Sequence, residues 1–223
     1  MSPGRTWWTK GRPFTLAELI ADGVVHGVGI VVAIAFGSVL LGYAAFRTAP
    51  EQIPALAIYV GSLVVLLSVS LAFNLVPISP IKRTLARFDQ AAIFLFIAGS
   101  YTPFLAIMGG TASGNLMMVL VWGAALIGVA LKLIVPERFG RMAIVFYLGI
   151  GWSGVLVFQT LAATLPPTTL WLMVAGGITY SLGIIFHLWE RLKFHNALWH
   201  AFVVVGATLH LWAMFDCMVL SRL

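Results

Sequence analysis

The chain has 223 residues, of which 61% are hydrophobic and only 9% charged, with a formal net charge of +6. A soluble domain carries about 25% charged residues, so this composition excludes a soluble globular fold and requires lipid to cover much of the apolar surface. The basic residues lie between apolar runs, which points to membrane topology and to membrane lipids as partners rather than to nucleic acid.

Residues 1–14 read as a polar N-terminal tail, with Trp7 and Trp8 as interfacial anchors. They show no short apolar region followed by a small-residue cleavage site, so the first span is expected to direct insertion itself. Apolar runs then fall at about 20–46, 55–77, 89–108, 115–135, 141–163, 169–189 and 196–220. Each is long enough to span a bilayer as a helix, and together they leave room only for short loops. The expectation is one all-α integral membrane domain over 1–223, a bundle of seven transmembrane helices. Cys217 is the only cysteine, so no intrachain disulfide forms.

The segment Thr15-Leu16-Ala17-Glu18 fits a capping box ahead of the first run. Prolines 50, 54, 77, 80, 136, 166 and 167 lie in or beside connections, whereas Pro103 falls inside the third run and predicts a kink there. Gly149, Gly151, Gly154, Gly176, Gly177 and Gly183 predict close helix packing.

Of the 13 Lys and Arg residues, all but Arg47 and Arg222 fall on one side of the seven runs. The positive-inside rule therefore places the N-terminus in the cytoplasm and the C-terminus outside, in a multi-pass protein of the cell membrane, inner or plasma.

Ionisable groups within spans cost about 2.5–3.5 kcal/mol each at the centre, so each requires a partner, water or a function. Glu18, Asp22 and His26 follow an i, i+4, i+8 spacing and share one helix face. Ser70 and Asn74 close the second run, Asp89 and Gln90 open the third, and His187 and Glu190 close the sixth. His195, Asn196 and His200 open the seventh. In this topology all these ends meet near the cytoplasmic leaflet. Asp89, Asn74, Asn196 and His200 are read as a shared buried site, and Glu18, Glu190, His187 and His195 as interfacial. His26 and His210 divide between a site role and an interhelical hydrogen bond. His210 lies about 15 Å deeper than His200 at 1.5 Å per residue. Asp216, at the other end, is expected to be solvated.

Several segments stand in a specific order and spacing: Glu18 through His26-Gly27-Val28-Gly29, Phe88-Asp89, Ala98-Gly99-Ser100-Tyr101-Thr102-Pro103-Phe104, Gly151-Trp152, Tyr180-Ser181-Leu182-Gly183 and Ala197-Leu198-Trp199-His200. Together they resemble the haemolysin III family, the bacterial branch of the progestin and adipoQ receptor superfamily. The resemblance covers almost the whole chain. It implies seven transmembrane helices and a zinc site held by three histidines, one on helix two and an i, i+4 pair on helix seven. It also implies an aspartate and a serine beside the metal-bound water, here Asp89 and Ser70 as candidate catalytic residues.

The sequence departs from that pattern where the metal belongs. The helix-two position is Asn74 and the first helix-seven position is Asn196, so only His200 keeps a family ligand. Asparagine offers a neutral oxygen, which suits hard ions better than zinc. The expectation is therefore no cofactor, with zinc as the alternative, and a hydrogen-bonded plug of Ser70, Asn74, Asp89, Asn196 and His200. Three functions follow: a non-enzymatic membrane protein in membrane or lipid homeostasis, a metal-dependent lipid amide hydrolase resembling ceramidases, or a channel, transporter or pore.

Overall fold

Each of the seven apolar runs forms a helix in the computed structural model, which describes residues 14–47, 50–137, 139 and 142–222. Trp7 and Trp8 lie outside the described residues. The helices are α1 (Leu16–Arg47), α2 (Ile53–Leu75), α3 (Pro80–Ile107), α4 (Ala112–Ile134), α5 (Met142–Thr164), α6 (Pro167–Leu188) and α7 (His195–Met218). All seven are long and apolar enough to cross a membrane, and no strand occurs among the described residues.

Local chemistry sets their ends. The capping box forms as expected: Glu18 N donates to Thr15 Oγ1 at 3.3 Å, and Thr15 N donates to Glu18 Oε2 at 2.9 Å. Ser79 caps α3 by accepting from Lys82 N, with Pro80 in the first turn. Thr111 caps α4 by accepting from Gly114 N. Lys82 Nζ turns back to donate to the carbonyls of Phe73 at 2.6 Å and Val76 at 2.8 Å, which satisfies orphan acceptors at the end of α2.

Two elements differ from the sequence expectation. α3 begins at Pro80 rather than near residue 89, because its first two turns are polar and capped, and hydropathy does not register them. α5 is not one continuous helix. A 3₁₀ stretch at Ser153–Val157 divides it, and the Tyr101 hydroxyl of α3 is inserted at the break. That hydroxyl donates to Gly151 O at 2.6 Å and accepts from Gly154 N at 2.9 Å, taking up backbone groups that the helix leaves. α3 itself runs continuously through Pro103.

Successive helices are neighbours, and α7 packs against both α6 and α1, so the seven close into a ring. The core runs along the inner faces of α2, α3 and α7, with Tyr59, Leu63, Phe94, Leu211 and Met214 fully buried. Glycines permit close approach at chosen points. A Cβ at Gly176 would collide with the His210 ring, and one at Gly183 with Phe202 and Trp199. Gly149 and Gly151 meet no such neighbour, so the packing role expected of them does not hold.

Candidate functional site

The polar residues flagged along the chain meet at the end of the bundle that carries the start of α1. α1 contributes Asp22 and His26 from one face, α2 contributes Ser70 and Asn74, α3 contributes Asp89, and α7 contributes Asn196 and His200. Asp22, His26, Ser70, Asn74, Asn196 and His200 are all buried, and Asp89 is half-buried.

Their contacts define a chain of bonds across three helices. Asp22 Oδ1 lies 2.6 Å from His200 Nδ1, joining α1 to α7. His200 Nε2 faces Ser70 Oγ at 3.4 Å. Asn74 Nδ2 donates to Ser70 O at 2.8 Å, and Asn196 Nδ2 donates to Asn74 Oδ1 at 2.9 Å. His26 Nδ1 lies 2.8 Å from its own turn's Asp22 carbonyl, and its ring meets the His200 ring edge-on at 4.2 Å between centroids.

This cluster borders a cavity of about 450 Å³ between α2, α3, α5, α6 and α7. Ser70, Asn74, Asp89, Asn196 and His200 line its polar end. Its walls continue past Phe96, Ile97, Tyr147 and Leu148 to Ser100, Tyr101 and Trp152. From Asp89 to Ser100 the helix advances about 16 Å at 1.5 Å per residue. Lys132, 2% exposed, also lines the cavity and donates to Gln90 Oε1 at 2.7 Å. Tyr147 donates to Gln90 O at 2.8 Å and Trp152 donates to Ser181 Oγ at 3.0 Å, so α5 is pinned to α3 and α6 by polar contacts.

The family whose description is Haemolysin-III related matches residues 14–211. The chain belongs to the haemolysin III family. Similar proteins include the Hemolysin-3 homolog of Bacillus subtilis (strain 168), 34% identical over 92% of this chain and 95% of that one. Hemolysin-3 of Bacillus cereus is 31% identical over 91% of this chain and 90% of that one. The human monocyte to macrophage differentiation factor is 30% identical over 90% of this chain and 84% of that one, in agreement with the wider receptor superfamily. No solved structure matches.

Among the residues singled out in this haemolysin III protein, the structure brings together Asp22, His26, Ser70, Asn74, Asn196 and His200. Asp89 faces the same cavity. Glu18 sits one turn away and acts on the backbone instead. Besides Thr15, it accepts from Phe194 N at 2.9 Å, tying α1 to the start of α7. Phe194 there has φ 60, a left-handed backbone that the bond helps to hold. Glu18 and His195 are buried rather than interfacial. His210 stands apart. It bonds Met173 O at 3.1 Å and packs against Tyr180 at the deep end of the cavity.

Asp216 corrects an expectation. It is buried and accepts from Thr169 Oγ1 at 2.6 Å, because α6 supplies a hydroxyl at the level where solvent is expected. Lys132 reads only as a loop cation in the sequence, and the signal for a site role is its position one turn inside the end of α4.

The zinc set implied by the family requires imidazole at positions 74, 196 and 200. Asn74 and Asn196 instead hydrogen-bond to each other, and the Asn74 amide is committed to Ser70 O. The three-histidine donor set therefore does not fit these residues.

Proposed function

We propose that this protein is a non-enzymatic haemolysin III scaffold of the cell membrane, N-terminus in the cytoplasm, which holds a lipid-class amphiphile and acts in membrane or lipid homeostasis. The observation that carries this reading is the Asn196–Asn74 hydrogen bond, which occupies two of the family's three ligand positions. The adjoining cavity supports the ligand class: an apolar channel with hydrogen-bonding groups gathered at one end matches an acyl chain with a polar head.

The test uses the full-length protein in detergent. Lipid extracted from the purified protein should contain one retained amphiphile species, reduced by Ile97→Trp, which fills the cavity. Incubation with a ceramide-like lipid amide should release no fatty acid. Release that depends on Ser70 or on added metal overturns the non-enzymatic reading.

One observation favours a hydrolase, with a serine hydroxyl in place of a metal-bound water as the attacking group. Ser70, His200 and Asp22 stand in the order nucleophile, base and orienting carboxylate, with His200 bonded to Asp22 at one nitrogen and facing Ser70 with the other. Ser70→Ala separates the two readings, since it abolishes hydrolysis in the second, whereas the first has no hydrolysis to lose.

A further inference from the structure

Buried ionisable groups that the amide pair does not use face each other from α1 and α7. Asp22 and His26 lie one turn apart on the face that meets α7, and His200 meets both, its Nδ1 2.6 Å from Asp22 and its ring 4.2 Å from that of His26. One ligand atom from each of Asp22, His26 and His200 can be chosen so that all three lie within 4.8 Å of one another. All three residues are buried, and His26 is fully so.

The tautomers are already arranged. His26 Nδ1 is held by the Asp22 carbonyl at 2.8 Å, so its proton belongs on that nitrogen and Nε2 carries the lone pair. A backbone carbonyl on one imidazole nitrogen is the usual support behind a metal-binding histidine, because it fixes the ring and raises its basicity. His26 Nε2 is buried and has no hydrogen-bond partner among the described residues. Leaving such an atom unsatisfied costs about 1–3 kcal/mol, and more in a membrane interior. A bound cation satisfies it. The Asp22 carboxylate lies 2.6 Å from His200 Nδ1 and 3.6 Å from His26 Nδ1, so the one anion of the group reaches both rings.

We propose that Asp22, His26 and His200 form a divalent-metal site that takes zinc. Its donors are two imidazoles and one carboxylate, a set zinc uses with a fourth position left for water. The i, i+4 pair that the family resemblance implies on α7 has its counterpart on α1, and only His200 is common to both sets. Bound there, the ion ties α1 to α7 beside the polar end of the cavity. The site stands apart from the amphiphile-binding reading, because lipid retention can be repeated with chelator present and does not depend on the metal.

The experiment is metal analysis of the full-length protein in detergent, after exposure to zinc and desalting. The wild type should hold about one zinc per chain, and Asp22→Asn and His26→Gln should lower that at least about tenfold. Asn74→Ala and Asn196→Ala should leave it unchanged. A wild type without zinc, or zinc insensitive to both α1 substitutions, overturns the proposal. If the α1 variants fail to fold, cobalt loading of the wild type decides. Visible ligand-field bands that zinc abolishes, with a zinc-dependent rise in the unfolding midpoint, support the site; their absence overturns it.

Discussion

The carboxylate of Asp22 and the Nδ1 of His200 are 2.6 Å apart although 178 positions separate them in the chain. That bond joins the first helix to the last and closes the ring of seven. Asp22→Asn keeps the shape and removes the charge. With chelator present, so that the hydrogen bond alone is read, it should cost about 1–3 kcal/mol, seen as a lower unfolding midpoint in detergent. Asp22→Leu should cost more, because it leaves a buried imidazole nitrogen without an acceptor.

Tyr101→Phe removes one hydroxyl and leaves the ring in place. Gly154 N loses its acceptor and Gly151 O its donor at the break in α5. The expected loss is about 1–3 kcal/mol. Hydrogen exchange should localise it, with amides near Ser153–Val157 exchanging faster and those of α2 unchanged.

The Lys82 ammonium closes the end of α2 through carbonyls of Phe73, Asn74 and Val76. Lys82→Met keeps the apolar stem and removes all three bonds. It should lower stability by about 1–3 kcal/mol and speed exchange at the last turn of α2, whereas Ser79→Ala, which removes only the cap of α3, should cost about 1 kcal/mol.

Gly128 on α4 lies where a Cβ would strike the fully buried Phe94 ring of α3. Gly128→Val should therefore destabilise by about 1–3 kcal/mol through overpacking. Gly123, which has open space around its Cα, is the control: Gly123→Ala should be neutral or slightly stabilising. Thermal unfolding of both variants checks this.

Orientation is tested by thiol labelling in a Cys217→Ser background. Lys193→Cys, in the α6–α7 connection, should react only after cells are permeabilised. Thr168→Cys, exposed at the opposite end, should react with a membrane-impermeant reagent in intact cells. The reverse pattern overturns the N-terminus-inside topology.

Much of this molecule is readable from its sequence, and the reason is lipid. Uninterrupted apolar runs and prolines at their borders locate the spans, and Thr15 with Glu18 marks the first helix start, because these signals are local. What escapes the sequence depends on partners distant in the chain. The break in α5 needs a tyrosine fifty residues earlier. Burial of Asp216 needs Thr169 on another helix. The α1 face carrying Asp22 and His26 is visible as a spacing, but nothing in that spacing says that His200 projects into it. Likewise, Asn74 and Asn196 show as departures from a family pattern, and only packing shows that they bond to each other.

That mutual bond has a consequence for how such proteins change. Asn74→His alone removes the amide that both accepts from Asn196 and donates to Ser70 O, and it adds one imidazole to a set that needs two. Asn196→His alone takes away the donor that Asn74 meets. The amide arrangement and the three-histidine arrangement are thus separated by a pair of changes, neither of which completes the metal set singly.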